Sequence, residues 1–118
     1  MLNAAQRERL LQVARQSVRA AVGNGPRPDL HTTDPDLRRV QGAFVTLHTA
    51  DGDLRGCIGH IEGHLPLIET VAEMARAAAL EDPRFPPVTA REEPTLQLEI
   101  SVMSPLRVIT DVNEIEVG

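Results

Sequence analysis

The chain has 118 residues, 42% of them hydrophobic, a net charge of −5 and a single cysteine, and all twelve of its cationic side chains are arginine. That length fits one domain, and an acidic balance argues against a nucleic-acid partner, which needs clustered positive charge. One cysteine excludes an internal disulfide framework and no apolar run approaches the ~18 residues of a membrane span, so composition predicts a cytoplasmic protein without membrane contact.

Asn3 followed by Gln6 resembles a capping box, and Leu10, Leu11, Ala14, Val18 and Ala21 recur at helical spacing up to Gly23. The spacing predicts an N-terminal helix over about residues 4–22. Arg7, Arg9, Arg15 and Arg19 cluster along it and read as a solvated face rather than an RNA or phosphate patch. Gly23 to Asp36, rich in proline and glycine, reads as a loop, and His31 within it is left outside any site.

The stretch Gly42–Glu62 is where chemistry concentrates. Two runs of strand character, 43–49 and 54–60, flank Asp51-Gly52, a strong hairpin signal. A two-residue type I′ turn there sets the register: Phe44 faces Gly59, Val45 Ile58, Thr46 Cys57, Leu47 Gly56 and His48 Arg55. Side-chain alternation then sends Val45, Leu47, Leu54 and Ile58 to a core face. Phe44, Thr46, His48, Arg55 and Cys57 go to the opposite face.

Leu65-Pro66 opens a second helix over about 65–80, with proline in its first turn and Leu67, Ile68, Val71, Ala75 and Ala78 as its apolar stripe. The proline-rich Glu81–Val88 segment forbids helix and ladder alike, with Phe85 expected to plug into the core. Thr89 and Glu92 suggest a capping box for a short helix ended by Pro94. Alternation from Leu96 to Met103 predicts a strand with one buried face, followed by a Ser104-Pro105 turn, a short strand over Leu106–Ile109 and a half-turn capped by Asp111 and Glu114. The order helix, hairpin, helix, strands predicts an α+β domain with a largely antiparallel sheet.

On the furnished face Cys57 has Arg55 two residues away and His48 on the diagonal. A neighbouring cation favours the thiolate, lowering a thiol pKa from its ordinary ~8.5 and making it a nucleophile at neutral pH. Cys57, Arg55 and His48 are therefore the candidate catalytic residues, with His48 as a base. Gly56 and Gly59 remove side chains and would let a ligand come close. The competing reading is structural: Cys57 as a small buried hydrophobe, and Gly59 as the floor beneath Phe44. Cys57-x2-His60-x3-His64 has zinc-like spacing, but alternation puts His60 on the opposite face from Cys57 and no fourth ligand is evident, so no metal or cofactor is assigned. Glu99 and Ser101 would join the same cleft if their strand neighbours the hairpin; solvated strand positions are the alternative.

Several segments together resemble a family. Gly42-x-Phe44-Val45-Thr46-Leu47, Leu54-Arg55-Gly56-Cys57-Ile58-Gly59, Asp82-x-Arg84-Phe85-Pro86-Pro87-Val88-Thr89 and Glu99-x-Ser101-Val102 are similar, in order and spacing, to the AMMECR1 domain. Its bacterial and archaeal members are called AmmeMemoRadiSam system protein A. The resemblance implies an α+β fold with a cleft near the Leu54–Gly59 hexapeptide. In the alternative reading of a protein-binding module, the hairpin face and the Asp82–Val88 loop form a docking surface, so Thr46, Arg84 and Phe85 join Gly56 and Gly59 as candidate binding residues. The resemblance also implies Memo-like and radical S-adenosylmethionine partner proteins, but no particular reaction. His60 stands where the family usually has threonine or serine, which weakens a shared Cys-His metal site. Val117-Gly118 matches the start of a family segment that runs on, so residues 1–118 read as a single domain truncated at its C-terminus. An interrupted sheet predicts an exposed edge, most simply covered by a second copy in a homodimer.

Overall fold

The computed structural model describes residues 2–103 and 107–110. Helix α1 spans Ala4–Ala21 and opens with the capping box: Asn3 Oδ1 accepts from Gln6 N at 2.8 Å while Asn3 N donates to Gln6 Oε1 at 2.7 Å. It closes on Gly23 at φ 84°, with Gly23 N donating to Ala20 O and Asn24 N to Arg19 O, the paired bonds of a Schellman ending.

Helix α2, Pro35–Arg38, interrupts what the sequence suggests is loop. Asp34 caps it by accepting from Asp36 N, Pro35 supplies the pre-set φ of a first turn, and Leu37 anchors it in the core. Strands β1, Ala43–His48, and β2, Leu54–His60, form the hairpin. Helix α3 runs Leu67–Leu80, with Pro66 as its N-cap rather than in its first turn. Strands β3, Gln97–Val102, and β4, Arg107–Thr110, complete a four-stranded antiparallel sheet ordered β2-β1-β3-β4. The fold is thus α+β with an antiparallel sheet. The Ser104-Pro105 turn, the start of the last strand at Leu106 and the half-turn at Asp111–Glu114 lie outside the described residues.

Helices α1 and α3 pack on one face of the sheet. Leu10, Val13 and Val18 of α1 meet Leu67, Val71 and Ala75 of α3 over Val45, Leu47, Leu98 and Ile100, all 1% exposed or less. Each such aliphatic side chain contributes about 1.5–3 kcal/mol by leaving water. With only two phenylalanines available, and neither fully buried, alanines let the layers approach closely. A Cβ on Gly56 would collide with the carbonyl of Ala78 in α3, so a glycine is required where strand and helix backbones meet.

The hairpin tip differs from the two-residue turn. Gly52 N donates to Thr49 O at 2.9 Å and Thr49 N to Asp53 O at 2.8 Å, so the loop holds three residues, Ala50 to Gly52, with Gly52 at φ 91°. The longer loop moves the pairing by one, setting His48 opposite Leu54; an irregularity after Leu47 restores the expected pairs, and Arg55 is the residue left without an opposite. Two expectations change with it. His48 does not face Arg55, and Leu54, now sharing the side of His48, is 40% exposed rather than core. Phe85 also stays only half-buried; the apolar anchor of its segment is Val88, 5% exposed.

Candidate functional site

The sheet face away from the helices carries the chemically furnished row. Reading across it, Cys57 of β2 lies opposite Thr46 of β1, Thr46 opposite Glu99 of β3, and Glu99 opposite Thr110 of β4. The next row is Gly59, Phe44, Ser101 and Val108. Cys57, Thr46, Glu99, Phe44 and Ser101 are all half-buried, in contrast with the sealed inner face. The Cys57 Sγ and Thr46 Oγ1 share a hydrogen bond at 3.2 Å. His48 Nε2 approaches Glu99 Oε1 at 3.6 Å, while its Nδ1 is buried without a hydrogen-bond partner among the described residues. The cross-strand neighbours Glu99 and Ser101 are therefore brought to the hairpin, and Glu99 forms a pair with His48 that no sequence spacing announced.

Arg55 is bound to the 86–92 segment. Displaced by the irregularity in β2, its guanidinium forms a two-point pair with Glu92, Nε to Oε2 at 3.1 Å and Nη2 to Oε1 at 2.9 Å, and donates to the carbonyls of Pro86 and Pro87. Glu92 is the capping-box residue: its Oε1 also accepts from Thr89 N, and its own N–H donates to Thr89 Oγ1. Pro94, expected to end that short helix, instead lies inside a 3-10 turn, Glu93–Thr95. Arg55 first, and Thr89 N–H after it, hold the Glu92 carboxyl below its ordinary value against the opposing effect of burial.

The outer edge of β2 is closed by the same proline segment. Asp82, buried at 4% exposure, accepts from Cys57 N at 3.0 Å and from Arg84 through N, Nε and Nη2 at 3.0, 3.0 and 2.7 Å. Arg84 Nη2 also reaches Cys57 O at 3.5 Å, and the guanidinium lies over the Phe85 ring at 5.4 Å. Arg84 is the main cause of an Asp82 carboxyl held far below the usual range; the amides of Cys57 and Arg84 add to it, and burial opposes it. Arg84 is correspondingly raised, chiefly by Asp82, with the Cys57 thiol as a further and smaller influence. Arg84 therefore braces the Cys57 backbone at the β2 edge, while Arg55 ties the 86–92 segment to the strand.

The two glycines of the hexapeptide are used by the protein itself. The space beside Gly56 is taken by α3, and a Cβ on Gly59 would collide with Phe44 and the carbonyl of Ala43. The ring of His60, at the exposed end of β2, meets that of His64 edge-on at 5.9 Å. A concavity lies elsewhere, between α1 and α3 near Ala20, Ala72, Arg27 and Glu73. Its one hydroxyl, Ser17, donates to Ala72 O, so it assembles no nucleophile with a base. Of the N-terminal arginines, Arg15 and Arg19 pair with Glu93, a carboxylate only 1% exposed, rather than forming a uniformly solvated face.

The AMMECR1 family model matches residues 11–118, nearly the whole chain. The chain belongs to the AMMECR1 family. Relatives include a Thermofilum pendens protein, 42% identical over 108 residues, covering 80% of this chain and 49% of the relative, and a Thermotoga maritima protein, 40% identical over 90 residues, covering 75% and 52%. Among solved structures, the uncharacterized protein PH0010 of Pyrococcus horikoshii matches with a TM-score of 0.74 at 36% identity, over 81% of this chain and 50% of that one. The chain thus spans about half the length of the AMMECR1 relatives it matches. Among the described residues, no helix is long and apolar enough to cross a membrane. The segments Leu54–Gly59 and Asp82–Thr89, which carry the resemblance to the AMMECR1 domain, are the two sides of one hydrogen-bonded latch along the β2 edge.

Proposed function

We propose that the open sheet face is the working surface of this AMMECR1 domain, with Cys57 as its reactive group in a cytoplasmic enzyme or enzyme-associated factor. The observation that carries this reading is the position of Cys57: half-buried on the sheet face away from the helices, hydrogen-bonded to Thr46 Oγ1, with Arg84 Nη2 reaching its carbonyl. A thiol so placed can be approached from outside. His48, held by Glu99 on the adjacent strands, is the candidate base, and Arg84 takes the electrostatic part first given to Arg55. The family resemblance adds Memo-like and radical S-adenosylmethionine proteins as candidate partners. The rate of iodoacetamide alkylation of Cys57 against pH tests the reading. A midpoint below that of free cysteine, moved upward in Arg84→Gln, is expected; a midpoint equal to free cysteine and indifferent to Arg84 removes activation.

A second reading is a partner-binding module in which Cys57 is structural. It is favoured by the fact that Arg55, Gly56, Gly59 and the Cys57 amide all serve packing or the latch. Pull-down with Memo-like and radical S-adenosylmethionine proteins distinguishes the two. If Cys57→Ser retains cellular function while Arg84→Ala loses partner binding, the module reading replaces catalysis. Association of two copies through a sheet edge would concern β4, because the β2 edge is occupied by Asp82 and Arg84, and sedimentation of the protein over a concentration series tests it.

A further inference from the structure

We propose that His60 and His64 form a binding site for a divalent transition-metal ion of the Zn²⁺ type, closed by the Glu73 carboxylate; the site is independent of any reaction at Cys57. Pairing with Ala43 places His60 on the same side of β2 as Ile58, the side on which α3 lies. The chain then turns back through residues 61–63 and returns His64 to the same hollow. His60, Glu62, His64, Thr70, Glu73 and Met74 line a concavity of about 290 Å³, which has room for an ion with several waters of about 30 Å³ each. The two rings stand 5.9 Å apart between centres. A zinc–nitrogen bond of ~2.1 Å puts the metal about 3 Å from the centre of each ligating ring, so one ion spans rings with centres up to about 6 Å apart. Both histidines are exposed, which leaves their rings free to turn a nitrogen inward.

Two independent observations favour a cation there. Among the described residues, the ring nitrogens of His60 and His64 and the carboxylates of Glu62 and Glu73 have no hydrogen bond or ion pair. Arg76, the cation of α3, is engaged with Glu81 at 3.0 Å, and Glu69 stands one turn before Glu73, so the carboxylates around the hollow repel one another uncompensated. The backbone carrying the imidazoles is also fixed in advance. A Cβ on Gly63 would collide with the backbone of Val40 and Gln41, and one on Gly42 with the carbonyls of His60 and Ile61. Gln41 N donates to Leu65 O at 3.3 Å, and Thr70 Oγ1 lies 3.2 Å from both Gln41 O and Leu65 O. Both ends of the 60–64 loop are thereby held, which lowers the ordering cost of taking a ligand. Among the described residues no three ligating side chains yet converge, so the imidazoles take the ion first and the exposed Glu73 swings in after them. Nitrogen ligands select Zn²⁺ and its neighbours over Mg²⁺ or Ca²⁺, which take oxygen.

Calorimetric titration of the 118-residue chain with Zn²⁺, together with the absorption spectrum of its Co²⁺ form, tests the site. One Zn²⁺ should bind per chain and raise the thermal midpoint saturably, because the ion binds the folded state. His60→Ala and His64→Ala should each weaken binding by about a hundredfold and Glu73→Gln by about tenfold. His31→Ala, at an exposed histidine of the 23–34 loop, should leave it unaltered. The Co²⁺ form should lack the charge-transfer band of a thiolate ligand, since Cys57 lies on the other face of β2. The substituted histidines are exposed, so circular dichroism should show the fold intact in each variant. No saturable uptake, binding of full strength in the doubly substituted His60→Ala, His64→Ala protein, or a thiolate band with Co²⁺ overturns the site. Undiminished binding in Glu73→Gln overturns the part given to that carboxylate and leaves the histidine pair standing.

Discussion

The two faces of the β1-β2 hairpin use the same backbone to opposite ends. Val45, Leu47 and Gly56 point into α1 and α3 with no detectable space to spare, whereas Thr46 and Cys57, one residue along, stand half-exposed with polar neighbours. Pleat alternation is what allows it: one face can be optimised for packing without constraining the chemistry of the other. The comparison also corrects an easy inference about glycine. Gly56 and Gly59 lie on opposite faces, yet both are filled by the protein's own atoms, so neither opens room for a ligand.

That contrast can be broken most severely from inside. Leu47→Ala, at a site with no exposure, should cost about 2–5 kcal/mol in chemical denaturation, because a cavity is left between sheet and helices. Gly56→Ala should cost about 1–3 kcal/mol, since its methyl must push α3 away from the strand. An equal cost for Thr46→Ala would show that the two faces are not distinct.

A pH series sharpens the difference between the sealed face and the latched edge. Asp82 and Glu92 are both held below their ordinary carboxyl values, so their contribution is complete above about pH 5 and is withdrawn as pH falls toward the native-state values. The thermal midpoint should therefore decline on acidification, and Asp82→Asn should flatten that decline. An acid limb unchanged in Asp82→Asn and in Glu92→Gln would separate the latch from stability. Smallest of all should be Cys57→Ser, about 0.5 kcal/mol or less, because the hydroxyl can keep the contact with Thr46 on a half-open face. A larger loss would mark the cysteine as a packing residue.

The motifs at Leu54–Gly59 and Asp82–Thr89 were legible as a family signature, yet their relation was not. Nothing in the spacing says that Asp82 takes the Cys57 amide or that Arg55 binds the carbonyls of Pro86 and Pro87, because these contacts join positions far apart in the chain. The short helix at Pro35–Arg38 did carry a signal, Asp34 followed by proline, which the surrounding proline and glycine obscured. At the hairpin, Asp51-Gly52 marked the turn correctly but not its length. A three-residue loop needs only Gly52 at positive φ, and one irregularity downstream is enough to redirect Arg55 and expose Leu54.

By itself the sequence determined what depends on neighbours along the chain: the capped first helix, the apolar stripe of α3, the paired strands, and the placing of Thr46 and Cys57 together on one face. Periodicity and local hydrogen bonding decide those, and both are written in adjacent residues. Only the tertiary structure decided which cation braces the Cys57 backbone, that Glu99 joins His48, and that the β2 edge is closed. Those outcomes depend on which strands become neighbours and on a single shift in register, and a guanidinium goes to the carboxylate and carbonyls that folding brings within its reach.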